Sequence, residues 1–183
     1  MSFLTTSFLG SFLFAQLLFP PAPYQVSIDR WQPKSGDRIV VDTQVNEGYL
    51  IHPDGEYVQF PVITGQRRWV YYIGRGYNAT TPTWDWVMQS KDIKGDRITF
   101  GPSGRFLRLY KDGQTHTAYG FHEHAAEEVM FDRESRFQSM GCVIVRTQIM
   151  DILEQTFDLN ESTGVPVFTR YGVEAPVAVA FGV

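Results

Sequence analysis

A mostly β single domain is the fold this sequence predicts, and three observations predict it. Short runs rich in Val, Ile, Tyr, Phe and Trp recur from Arg38 onward, Gly, Pro, Asp and Asn bound them, and only one longer segment has helical spacing. A length of 183 residues suits one such domain, and 43% hydrophobic with 20% charged residues is an ordinary globular composition.

Residues 3–19 carry no charged side chain and are rich in Phe and Leu, after which Pro20-Pro21-Ala22-Pro23 breaks any helix. An apolar run before a proline break predicts an export signal or a single membrane anchor over residues 1–23, which places the rest of the chain outside the cytoplasm. It lacks the usual basic start, since the first Lys or Arg is Arg30. Residues 24–37 read as a lead-in. Strands are predicted over residues 38–43, 47–51, 57–63, 69–73, 97–100, 106–110 and 117–122, where β-branched and aromatic residues cluster between turn signals. Pro53-Asp54-Gly55 joins two of these as a hairpin, and Lys111-Asp112-Gly113 supplies a second turn. A helix is predicted over residues 147–157, where Ile149, Ile152, Leu153 and Phe157 share a face and Asp151 and Glu154 lie on the polar one. A last strand follows over residues 165–171, so the domain runs over 38–172 and residues 173–183 form a tail. His52 and His116 sit beside turns and are expected in solvent.

Charge excludes one class of partner. Sixteen basic against 20 acidic side chains leave a net charge of −4, with no positive excess to hold a phosphate backbone, so no nucleic acid is expected. A monomer is the expected state.

Cys142 is the only cysteine, in Ser139-Met140-Gly141-Cys142-Val143, and 16 residues separate His122 from Ser139. A thiol attacks as its thiolate, and a nearby imidazole takes its proton and stabilises the anion. The bland alternative is an inert, buried cysteine, which the following Val-Ile-Val favours. A residue without Cβ before the cysteine permits a tight backbone, from which the amides of Gly141 and Cys142 would face a substrate oxyanion. Ser139 is either a turn residue that braces this loop or a substrate contact.

The pattern His122, then Ser139-Met140-Gly141-Cys142-Val143, resembles the signature of the L,D-transpeptidases, the YkuD-like family that crosslinks peptidoglycan. Arg38-Ile39-Val40-Val41-Asp42, Pro61-Val62-Ile63-Thr64-Gly65 and Ala79-Thr80-Thr81-Pro82-Thr83 resemble further segments of that family in the right order. The resemblance implies a β-sandwich or barrel with a short helix after the cysteine. It also implies a Cys142 thioester with peptidoglycan stem peptides as acyl donor and acceptor, and no cofactor or metal. The chain departs at Met140, where the family usually has a second His, at Trp84 for Gly, at Glu123 for Gly or Ser, and at Ile144 for Arg or Asn.

Both His122 and His124 fit the family spacing, and Gly120-Phe121 matches the residues that precede the family's histidine, so His122 is the implied base and His124 its neighbour. A base needs a partner on its other ring nitrogen, for which the carbonyl or carboxylate of Glu123 is a candidate. On an extended chain Arg146 lies on the face of Cys142, about 13 Å away, where a substrate carboxylate is expected. Tyr71, Tyr72, Trp84 and Trp86 are candidate walls of the cleft, although aromatics in β proteins are more often core. Hydrolysis of the same thioester gives an L,D-carboxypeptidase. From another class, His122, His124 and Glu128 match part of a cupin ligand spacing, without its fourth ligand. A wall-binding domain with a vestigial site is the remaining reading, resting on Met140 and Trp84.

Overall fold

The computed structural model describes residues 22–72 and 74–183, so the apolar run over residues 3–19 and Ile73 at the end of one predicted strand lie outside the described residues. Among the described residues thirteen strands and three α-helices follow in order: β1 (Tyr24–Gln25), β2 (Arg38–Asp42), β3 (Glu47–Ile51), β4 (Glu56–Pro61), β5 (Thr64–Gly65), β6 (Trp69–Tyr72), β7 (Arg75–Asn78), β8 (Asp85–Ile93), β9 (Arg105–Lys111) and β10 (Thr115–His122). After these come α1 (Glu127–Phe131), β11 (Phe137–Ser139), β12 (Val143–Ile144), α2 (Thr147–Leu159), β13 (Val165–Arg170) and α3 (Pro176–Phe181). Nine strands form one mixed sheet in the order β1-β4-β3-β2-β13-β8-β9-β10-β12, and β6 pairs with β7 as a separate hairpin.

The sheet closes on itself. Ile63, just past β4, exchanges both backbone hydrogen bonds with Ile144 of β12 at 2.9 Å, which joins strands near opposite edges. Period-2 alternation then fills the interior: Ile39, Val41, Leu50, Phe60, Met88, Leu107, Phe121 and Val143 point inward, where Ile149, Met150, Leu153 and Phe157 of α2 pack on them. Each such apolar side chain removed from water contributes roughly 1.5–3 kcal/mol. The alternate residues Val40, Tyr49 and Ile51 face outward and are covered by Ala180 of α3. Burial on both faces explains why Ile39-Val40-Val41 reads as a continuous apolar run.

The end segments are more structured than the expected lead-in and tail. Trp31 is 6% exposed and stacks on His52 at 3.7 Å, and Gly36 N–H donates to Asn160 Oδ1 at 2.8 Å beyond the end of α2. His52 is therefore buried, not solvent-exposed as its position beside a turn suggested, with Nδ1 2.6 Å from Asp37 Oδ1. His116 is exposed, stacked edge-on against Tyr110.

Residues 97–100 form turns instead of the predicted strand. Asp96 Oδ1 accepts the amides of Ile98 and Thr99 at 3.0 Å, and Phe100 N–H donates to Asp96 O at 3.1 Å, so local carboxylate and carbonyl bonds replace a ladder. The nine-residue β8 has no counterpart in the sequence reading, because Gln89, Ser90, Lys91 and Asp92 dilute its apolar pattern across a bulge at Met88–Ser90. Among the described residues no helix is long and apolar enough to cross a membrane.

Candidate active site

The short parallel strand β12 places the cysteine. Phe121 pairs with Val143 and His122 with Ile144, which sets Cys142 beside Gly120. Phe121 and Val143 point into the core, so His122 and Cys142 project from the opposite face of neighbouring strands, offset by two residues or about 7 Å along them. Gly120 lets β10 lie close against β9: a Cβ there would lie 2.5 Å from the Phe106 ring and 2.6 Å from Leu107 O.

Ser139-Met140-Gly141-Cys142 is a braced turn. Ser139 is 4% exposed, and its Oγ donates to Cys142 O at 2.6 Å and accepts the Gly141 N–H at 3.1 Å, so its hydroxyl braces the loop at the wall of the cleft that His122 and Cys142 share. Gly141 has φ +119°, and a Cβ would sit 2.7 Å from Tyr119 Cε1, which only glycine tolerates. Thr81 Oγ1 donates to Gly141 O at 2.9 Å and accepts Gly65 N–H at 2.9 Å. The Thr64-Gly65 and Thr80-Thr81-Pro82 segments thus meet at the turn that carries the thiol, a convergence no local pattern could reveal.

His122 is 3% exposed, in ring contact with Phe100 at 5.0 Å and Phe106 at 6.1 Å. Its Nδ1 lies 2.6 Å from Glu123 O. A carbonyl can only accept, so Nδ1 carries the proton and Nε2 the lone pair, the tautomer a general base needs. Burial pulls the imidazole down to about 4, although the carbonyls of Glu123 and Thr99 favour its charged form. Burial likewise pushes the Cys142 thiol up to about 11. At neutral pH both groups are therefore uncharged. The thiol donates to Ala118 O at 3.6 Å, and it shares one cleft with His122.

Two clefts meet at Cys142, which lines both together with Met140 and Tyr72. The first, about 480 Å³, contains His122, His124 and Asp96. The second, about 770 Å³, runs under the β6–β7 hairpin and contains Tyr77, Tyr119 and Arg75. Met140 is half-buried, and Gln66 Nε2 donates to its Sδ at 3.3 Å. His124 accepts Ala126 N–H on Nδ1 at 3.0 Å.

Other predicted contacts go elsewhere. The β12 ladder stops at Ile144, and Arg146, at the N-cap position of α2, pairs with Glu128 Oε2 at 2.8 Å and lines neither cleft. Glu123 is 1% exposed, its carbonyl turned to His122 and its carboxylate to Arg105 and Ser103, away from any substrate. Trp84 meets Trp86 at 5.0 Å in a tilted pair with Lys111 over it and lines neither cleft itself, touching only Tyr119 of the larger one edge-on, and Trp86 is core. Tyr71 is 78% exposed on the hairpin. Among the described residues no group of three His, Cys, Asp or Glu is arranged to hold a metal ion, and Glu128 of the cupin-like spacing is engaged by Arg146. Asp96, Arg75 and Tyr77 were missed in the sequence, since nothing beside them signals that the fold will fetch them to Cys142.

Comparison with known proteins points the same way. The sequence model of the YkuD family, described as the L,D-transpeptidase catalytic domain, matches residues 36–167. No curated protein matches the chain. Among solved structures, an L,D-transpeptidase from Xylanimonas cellulosilytica is 20% identical with a TM-score of 0.52 over 76% of this chain and 63% of that one. A Bdellovibrio bacteriovorus protein is 14% identical with a TM-score of 0.51 over 76% and 49%. The helical cell shape determining protein Pgp2 of Campylobacter jejuni, a point mutant, is 16% identical with a TM-score of 0.50 over 79% and 51%. At such identities the likeness is one of fold, and this chain spans 49–63% of the length of the three.

Proposed function

The chain belongs to the L,D-transpeptidase catalytic domain family, and from that premise we propose that it is an exported cysteine acyltransferase acting on peptidoglycan stem peptides. Cys142 attacks the carbonyl of the third residue of a tetrapeptide stem while His122 Nε2 takes the thiol proton. The C–N bond breaks, the terminal D-amino acid leaves with that proton, and the acyl group stays as a thioester. An amine of a second stem then attacks the thioester carbonyl, gives its proton to His122, and releases the thiol. With Gly141 N–H already donated to Ser139, the Cys142 N–H is the donor this turn offers the oxyanion.

One observation carries this reading: the nucleophile stands where two clefts of unlike charge meet. Among the described residues, Arg75 is the only charged side chain lining the larger cleft, and it suits a stem carboxylate. Asp96, held below the usual carboxylate range by hydrogen bonds to Thr99 and Ile98, lines the smaller one beside His122 and suits an incoming amine. Two approaches favour transfer to a second peptide over release by water. The decisive experiment incubates the protein with stem tetrapeptide, with and without an amine-bearing acceptor stem. Loss of the terminal residue with a crosslinked product supports transfer; trimming alone makes the protein a carboxypeptidase. Mass analysis after exposure to a carbapenem checks the thioester separately, with one adduct on wild type and none on Cys142→Ala.

A further inference from the structure

β10 ends at His122, so the Glu123 peptide that holds the imidazole lies beyond the last ladder position of its strand. A carbonyl there is free to rotate unless something else fixes it. The Glu123 side chain supplies the fixture. Its Oε1 accepts from Arg105 Nη2 at 2.8 Å, and its Oε2 accepts from Ser103 Oγ. Ser103 Oγ also accepts Arg105 N–H at 3.1 Å and Arg105 Nε–H at 3.0 Å, which closes a compact ring of bonds. The loop is pressed against the same residue, since a Cβ on Gly101 would meet Glu123 Cβ at 2.5 Å. Arg105 is itself held from the other side by Asp151 at 2.6 Å and Glu154 at 2.8 Å on α2. Lys91 pairs with Glu154 at 3.0 Å and extends the chain of charges to β8.

We propose that Glu123 and Arg105 are positioning residues for His122: their buried ion pair anchors the Glu123 peptide plane so that its carbonyl keeps Nδ1 protonated and Nε2 free to act as base. The proposal rests on the acyl-transfer reading for its kinetic consequence but not for its structural one. Neither side chain touches substrate. Both act through one carbonyl, and α2 is the support against which the pair is braced. The family-like His-Glu step departs here from Gly or Ser, and the carboxylate that replaces them is committed inward.

The test compares wild type with Glu123→Gln, which preserves side-chain size and an oxygen for Arg105 while removing the charge, and with Glu123→Ala. Ring ¹⁵N shifts of His122 in the full domain are expected to show one Nδ1–H tautomer in wild type and a mixture of tautomers in both variants. The rate of Cys142 acylation by a carbapenem should fall roughly tenfold to a hundredfold, part of the ~10²–10⁴-fold that a general base contributes, with little change in half-saturation. An unchanged tautomer and an unchanged rate in Glu123→Gln, whatever its melting temperature, overturn the proposal. If wild type is not acylated at all, the acyl-transfer reading fails and the ¹⁵N result still decides the positioning role. Should Glu123→Ala fail to fold, as loss of one partner from a buried pair allows, Glu123→Gln carries both readouts.

Discussion

His122 near 4 and Cys142 near 11 describe a resting pair without charge, unlike a preformed thiolate–imidazolium couple. Alkylation of Cys142 by iodoacetamide should therefore be slow at pH 7 and rise about tenfold per pH unit until the thiol titrates near 11. A plateau reached by pH 8 would place the thiol much lower and the burial argument would fall. The same shifts act on stability. The Cys142 pKa is raised from 9.0, so the stability its neutral form contributes is full below pH 9 and is lost as pH climbs toward 11. The His122 pKa is lowered from 6.5, so its contribution is full above pH 6.5 and is lost as pH falls toward 4. Melting curves of Cys142→Ala should thus decline less between pH 9 and 11 than those of wild type. Met140 is a third residue with a clear expectation. It lines both clefts, its sulfur accepting from Gln66, and His122 has its own orienting carbonyl in Glu123. Met140→His should then change turnover by no more than a few-fold, while a gain of several orders of magnitude would mean that the natural protein lacks an essential proton carrier.

At the scale of elements, the braced turn from Ser139 to Cys142 is where a small change should cost most. Gly141→Ala forces a Cβ against Tyr119 at φ +119° and should destabilise by about 1–3 kcal/mol while slowing acylation, because the turn must open. Thermal melts and acylation rates measured together check this. Ser139→Ala should behave similarly but more mildly, at about 1–2 kcal/mol, since two hydrogen bonds are lost without a clash. This turn was partly legible: the glycine before the cysteine announced a tight backbone, and Ser139 was open between brace and contact. The partners of the turn were not legible, because Thr81 and Gly65 reach it through tertiary closure. The strands nearest the hairpins were readable from period-2 alternation between turn residues. The turns over 97–100 were misread because Arg-Ile-Thr-Phe has β propensity, and the capping by Asp96 that overrides it is a side-chain effect invisible to a pattern of apolar residues.

Across the whole molecule, the sequence announced a mostly β domain and the His–Cys pair, while the assembly of the sheet depended on contacts between distant segments. The buried His52 shows the limit well: a polar residue beside Pro53-Asp54-Gly55 reads as surface until residues 31 and 37 fold over it. At this scale β13 decides the architecture. It lies between β2 and β8, parallel to one and antiparallel to the other, so until residues 165–170 arrive the two halves of the sheet have no ladder between them on that side and meet through the Ile63–Ile144 closure. A chain ending at Thr163 should show no cooperative melting transition by circular dichroism. A cooperative transition in that truncation would mean that the halves close without their central strand.

That central position has a consequence in time. β2 finds β3 close by in sequence but must wait for its second partner, more than a hundred residues away, and such distant pairing makes folding slow and late relative to elongation. The thiol turn, braced by segments from both halves, cannot be competent before that wait ends. On the proposed acyl-transfer reading, a nascent chain therefore carries Cys142 as an idle side chain until residues 165–170 are free to slot home.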